Sequence, residues 1–383
     1  MKTYIKAKAI VLENSVKENA YLEIHDGRFG QIVEQVPDDA HVVDHSDAWI
    51  APGLVDTHIH GYQSHDVMDN DIEGIKAISE GLLSCGVTSW LATTLTSSVE
   101  QLNAVCKTLG DHYQEVKGAK IRGIFLEGPF FTEKYKGAQN PKYMSDPSIA
   151  SLQEWYDLSG GLVNKIAIAP ERKGVPDFIK FAKEKGIYTA LAHSDASYEE
   201  AEAAVEAGAN IFVHTYNGMS GLHHRNPGMV GAALALDHVF AELICDGHHV
   251  HPAAAKVVVK ARGPEETVLI TDCMRAGGLA DNTESKLGEF DVIVQGGTAR
   301  LKEGGSLAGS VLELKTGVKN VYDWGLVERA DALRMASLVP AKSVGLDHIC
   351  GKIAPGLAAD FIVVSPQLDL MATYLDGQLR YQA

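Results

Sequence analysis

The sequence has 383 residues, 45% of them hydrophobic, and a formal net charge of -16. This composition suits one large soluble domain with a substantial core and room for a smaller companion, while the acidity argues against a nucleic-acid backbone or an anionic membrane surface as the main partner. Five scattered cysteines without a CxxC pair argue against a disulfide framework or thiolate cluster and fit a reducing cytoplasm, and neither a signal peptide nor an apolar run of membrane-spanning length is evident.

The first predicted elements are β. "YIKAKAIVL" alternates, and "AYLEIHDGRFGQIVEQV" places Asp26-Gly27 between two strand-like runs, a strong hairpin signal. At the other end "DFIVVSP" precedes "ATYLDGQLRYQ", with Asp376-Gly377 in the same role. Residues 1–52 and 354–383 are therefore expected to form a small β-sandwich domain from both termini. Between them, residues 53–353 alternate short apolar runs with helix-length segments. Eight candidate strands lie around 54–58, 87–93, 121–127, 165–169, 188–193, 210–214, 240–246 and 268–272, which together predict an α/β fold, a (β/α)8 TIM barrel. The intervening helices include "DIEGIKAISEGLLSCG" and "DASYEEAEAAVEAGA", apolar at helical spacing and closed by glycine. After the eighth strand, "GEFDVIVQGGTARLKEGGSLAGS" is Gly-rich and hairpin-like, an insertion placed to close over the barrel mouth, and a helical pattern follows it.

The candidate strands end in a particular set of side chains: His58 and His60, then Glu127, His193, His214 and Asp272. In a strand the side-chain period is two, so His58 and His60 share a face, and barrel active sites form at the C-terminal strand ends. Four imidazoles and two carboxylates suit Zn²⁺, Fe²⁺, Mn²⁺ or a similar divalent metal, with enough ligands for one or two ions and a bridging carboxylate. A bound metal makes hydroxide available at neutral pH, and Asp272 is the candidate general base and acid beside it. The competing readings are structural: a lone strand-end histidine is commonly just hydrogen bonded, and Asp272 would also serve as a helix N-cap. Glu127 lies within "FLEGPFF", where an unpaired buried carboxylate would be costly and metal coordination would remove the difficulty. His65, His223 and His224 read as solvated loop residues, and one of His249 and His251 as a substrate ligand. No Walker or GxSxG motif is present.

With these residues in view, the sequence resembles the amidohydrolase superfamily and, within it, the N-acetylglucosamine-6-phosphate deacetylase family. The likeness runs in order through "PGLVDTHIHG", "GIFLEGPFF", "KGAQNP", "LAHSDA", "VHTYNGM", "ICDGHHVHP", "LITDCMRAGG", "GSLAGS" and "GKIAPGLAADFIVV". It implies a principal metal site of Glu127, His193 and His214, a second site that includes His58 and His60, and Asp272 as the catalytic aspartate. It further implies sugar contacts from Asn217, Gly218 and the backbone of Ala138, a substrate loop containing Leu307, and a phosphate pair of His249 and Arg225. The arginine is expected to reach a neighbouring subunit's site, hence a homodimer, and the substrate to be a phosphorylated amino sugar. One departure is Gln139, twelve residues after Glu127, where many members carry a histidine that polarises the scissile carbonyl. An amide donates a hydrogen bond but cannot act as an acid, which makes a second metal more useful here.

The expected activity is cytoplasmic deacetylation in amino-sugar catabolism and cell-wall recycling. A second reading keeps the site and changes the substrate, to N-acetylgalactosamine 6-phosphate or another amidohydrolase substrate. A third, a non-catalytic barrel scaffold, would be expected to lose ligands, and here every candidate position is filled.

Overall fold

The computed structural model describes residues 2–383. Eight parallel strands, Leu54–Ile59, Val87–Thr93, Lys120–Glu127, Val163–Ile168, Tyr188–Leu191, Ile211–Phe212, Phe240–Ile244 and Thr267–Ile270, pair in chain order. The ring closes between first and last: Asp272 N donates to His58 O at 2.9 Å and His60 N to Cys273 O at 2.8 Å. The first two strands are buried along their whole length, as expected of parallel strands covered on both faces. The helices supply that cover. Tyr198–Ala207 shows how the sequence builds one: Ser197 and Glu200 form a reciprocal capping box at its start, and Ala201 and Ala204 bury its inner face.

The eight predicted strands are all present, but the later ones pair over shorter runs than expected. The fifth stops at Leu191 and the sixth is only Ile211–Phe212. The reason is local: His193, His214 and Asp272 take positive φ values of 45°, 33° and 51°, which no extended ladder accommodates. The chain turns outward at the residues that carry the candidate chemistry.

Strands from both termini make one seven-stranded sheet, ordered Gln378–Gln382, Leu370–Leu375, Phe361–Val364, His41–Pro52, Lys2–Val11, Val16–His25 and Arg28–Val33. Both Asp-Gly hairpins form as predicted, with Asp26 and Asp376 at φ 50°. The sheet folds over itself, so that Phe29 from its far strand lies 6.2 Å from Phe361, ring to ring, giving the two layers of a sandwich. Ile5, Ile10, Leu22, Ile50 and Val363 fill the space between. The insertion after the eighth strand forms a three-stranded antiparallel sheet, Glu284–Leu287, Phe290–Gln295 and Thr298–Leu301, and Leu287 reaches the pocket at the barrel mouth. Helices Leu314–Asp323, Arg329–Met335 and Leu338–Ser343 follow. No helix among the described residues is long and apolar enough to cross a membrane.

Candidate functional site

Two groups of three side chains converge at the C-terminal rim of the barrel: Glu127, His193 and His214, and His58, His60 and Asp272. In the first, His193 Nε2 and His214 Nε2 are 3.2 Å apart and each lies 3.3 Å from Glu127 Oε1. Their other nitrogens fix the tautomers. His193 Nδ1 donates to Tyr135 O at 2.8 Å and His214 Nδ1 to Asn217 O at 3.0 Å; since a carbonyl only accepts, each proton sits on Nδ1 and each Nε2 presents a lone pair. Two lone pairs and a carboxylate oxygen thus point at one place, which is unfavourable unless a cation stands between them. The separations fit a metal as well: tetrahedral bonds of about 2.0–2.1 Å span edges of about 3.3–3.4 Å.

In the second group, His58 Nε2 and His60 Nε2 are 3.3 Å apart and lie 3.3 and 3.2 Å from Asp272 Oδ1. Glu127 links the two groups. Its Oε1 is 3.4 Å from His58 Nε2, and its Oε2 is 3.2 Å from His60 Nε2. One carboxylate therefore has an oxygen for each group, the disposition of a bridging ligand. Asp272 belongs to a ligand group as well as being the candidate base, the two uses that the sequence offered for it. No helix begins at Asp272, so its N-cap alternative fails.

The electrostatics match. Burial pushes the Glu127 carboxyl up, but the charge of His58 beside it opposes burial and holds it well below the usual carboxylate range. Asp272 is likewise held down, by His58 and His60 against the effect of burial. In turn, burial disfavours charge on His60, yet Asp272 and Glu127 lift it to about 9. Two buried carboxylates among imidazoles demand positive charge, and a divalent cation meets that demand.

Around this centre the pocket is lined by Ala138, Gln139, Asn217, Gly218, His249 and Leu307, all expected from the sequence. Gln139 is buried and held at both ends: its Nε2 donates to Glu127 Oε2 at 2.8 Å and its Oε1 accepts from Thr96 N at 2.9 Å. Gly218, at φ 59°, packs so closely that a Cβ there would come within 2.8 Å of His193 Nδ1. His249 Nδ1 bonds Asp246 Oδ2 at 2.6 Å; burial opposes its protonation, but Asp246 raises its pKa above the ordinary value. His251 instead caps the helix Pro252–Arg262, and His223 and His224 are exposed as expected, whereas His65 is half-buried in a short hairpin. Arg225 is exposed and does not line this pocket; its Nη1 lies 2.8 Å from His224 Nε2.

Several supporting groups were missed by sequence reasoning: Tyr135 O, Thr96 N, Asp246, and a buried ion pair of Lys165 and Glu242 beneath His58. The last had a signal, a charged residue inside each of the apolar strands "VNKIAI" and "FAELI". Backbone partners leave no such trace.

The amidohydrolase family pattern matches residues 49–380. The chain is 42% identical over 335 residues to N-acetylglucosamine-6-phosphate deacetylase of Vibrio furnissii, covering 87% of this chain and 83% of that protein. It is 37% identical over 376 residues to N-acetylgalactosamine-6-phosphate deacetylase of Escherichia coli O157:H7, covering 98% of each. Among solved structures, a mutant N-acetyl-D-glucosamine-6-phosphate deacetylase from Mycobacterium smegmatis, in complex with N-acetyl-D-glucosamine-6-phosphate, superposes with a TM-score of 0.94 at 28% identity over the whole of both chains. The chain belongs to the amidohydrolase family.

Proposed function

We propose that this protein is a metal-dependent deacetylase that converts N-acetyl-D-glucosamine 6-phosphate into D-glucosamine 6-phosphate and acetate, in the cytoplasm, within amino-sugar catabolism and cell-wall recycling. The observation that carries the reading is Glu127, one buried carboxylate with an oxygen turned to each of two ligand groups, beside Asp272 in a pocket also lined by Asn217 and His249. Glu127, His193 and His214 would hold one divalent ion (Zn, Fe, Mn or similar), and His58, His60 and Asp272 a second. Such an ion, when bound, supplies Lewis acidity that lowers the pKa of water from about 15.7 to about 7.

The chain's own residues do the rest. Asp272 takes a proton from the attacking water, the water oxygen bonds to the acetamide carbon, and the C–N bond breaks as Asp272 returns the proton to the departing amine. Asn217, Gly218 and the Ala138 backbone hold the sugar, and Leu307 covers it. Gln139 is already committed to Glu127 and Thr96, so its part is to orient Glu127, and a bound ion would be the group able to polarise the carbonyl.

Among the described residues, no lysine or arginine lines the pocket, so the phosphate needs charge from His249 and from outside the chain. We assign the second contribution to Arg225 of the partner subunit in a homodimer. Acetate release should be far faster from the 6-phosphorylated sugar than from N-acetylglucosamine itself; equal rates would remove the phosphate assignment. The galactosamine epimer is the second reading, favoured by the 37% identity to a deacetylase of that sugar, and the same assay with both phosphorylated epimers decides between them.

A further inference from the structure

The floor of the barrel beneath the metal centre contains a buried charge pair that no step above uses. Lys165 and Glu242 are both fully buried and joined through Lys165 Nζ and Glu242 Oε1. Lys165 Nζ also lies 3.5 Å from Thr57 O, on the residue before His58, and 3.9 Å from the centre of the Phe125 ring. Phe125 meets the His58 ring edge to face at 5.0 Å. Glu242 thus has one oxygen held by the lysine, while Oε2 faces His58 Nδ1 across 3.6 Å.

Among the described residues, neither His58 Nδ1 nor Glu242 Oε2 has a hydrogen-bond partner. Two buried polar atoms aimed at each other just beyond bonding distance are costly as they stand. An ion pair so deep is also no net source of stability compared with apolar packing. Both costs make sense if the pair serves His58. An imidazole that gives its Nε2 lone pair to a metal must carry its proton on Nδ1, and that proton requires a buried acceptor; such partners fix ring orientation and raise ligand basicity.

We propose that Glu242, paired with Lys165, is a positioning residue that accepts a hydrogen bond from His58 Nδ1–H and so sets the affinity of the second ion, the one held by His58, His60 and Asp272. The inference rests on the two-ion reading above. Lys165 and Glu242 sit on the fourth and seventh strands, three apart around the eight-stranded ring, so the pair also ties the placement of His58 to the barrel wall rather than to a loop.

The test is zinc titration of chelator-stripped protein against a competing chromophoric chelator, with unfolding followed in parallel. K165M/E242L keeps the floor neutral and removes the acceptor; it should weaken one of two zinc sites by about 10–100-fold and leave the other unchanged. K165M/E242Q keeps an acceptor oxygen and should restore most of that affinity. A wild type that takes up two ions, with K165M/E242L folded and binding both with wild-type affinity, overturns the role of Glu242. A wild type that takes up one ion, bound equally well by H58A, overturns the two-ion reading instead. Should K165M/E242L not fold, histidine nitrogen NMR of zinc-loaded wild type decides: a His58 proton on Nδ1, strongly hydrogen bonded, is expected, and an unprotonated Nδ1 contradicts the proposal.

Discussion

Asp272 presents a divided carboxylate: its Oδ1 faces His58 and His60 at 3.3 and 3.2 Å, while the side chain keeps a face to the pocket. Asp272→Asn retains the shape and loses the proton acceptor, so kcat should fall by about 10²–10⁴-fold with zinc still bound by Glu127, His193 and His214, read from turnover and metal content together. His249 offers a pH test. Asp246 raises its pKa despite burial, so the imidazolium that would meet the phosphate persists below that raised value and is lost above it. KM for the phosphorylated sugar should therefore climb as pH rises through it. In Asp246→Asn burial prevails and the climb should begin at lower pH; a pH profile of KM unchanged by the variant would contradict the phosphate role. At this scale the sequence was most informative where chemistry needs a particular residue type, as in the HxH pair, Glu127 and Asp272. It was silent where backbone atoms serve, as at Tyr135 O and Thr96 N, because any residue supplies a carbonyl or an amide.

At the level of elements, the site depends on strands that end early. Positive φ at His193, His214 and Asp272 costs about 1–3 kcal/mol each, borne by the surrounding barrel, and it swings those side chains inward at the rim. Short apolar runs foresaw each strand but carried the fifth, sixth and eighth through to His193, His214 and Asp272, beyond where the ladder ends at Leu191, Phe212 and Ile270. Gly218 tests how tightly the loop is fitted. Gly218→Ala places a Cβ at φ 59°, 2.8 Å from His193 Nδ1; about 1 kcal/mol or more of stability should be lost, visible in thermal unfolding. Zinc affinity of the Glu127 group should drop with it, because His193 must tilt. Unchanged affinity would mean the loop gives way instead of the ligand.

On the scale of the whole molecule, the proposed reading asks an acidic chain to bind an anionic substrate in a pocket that, among the described residues, is lined by no lysine or arginine. The proposed homodimer would resolve this, and mixing two damaged enzymes checks it. Arg225→Met and Asp272→Asn should each be impaired alone, while hybrids formed by dissociating and reassociating the two contain a site with both native groups and regain activity; no recovery would mean Arg225 does not serve a partner's site. The closed barrel and the sheet of both termini were readable from alternation, Asp-Gly turns and helix signals, whereas the folding of that sheet onto itself depends on contacts such as Phe29 with Phe361, far apart in sequence. The central claim is that a metal held at Glu127 enables the hydrolysis. Its most direct test is acetate release from N-acetylglucosamine 6-phosphate by chelator-stripped protein as zinc is added back: activity should be absent at first and rise with ions bound, and full activity in metal-free protein would contradict it.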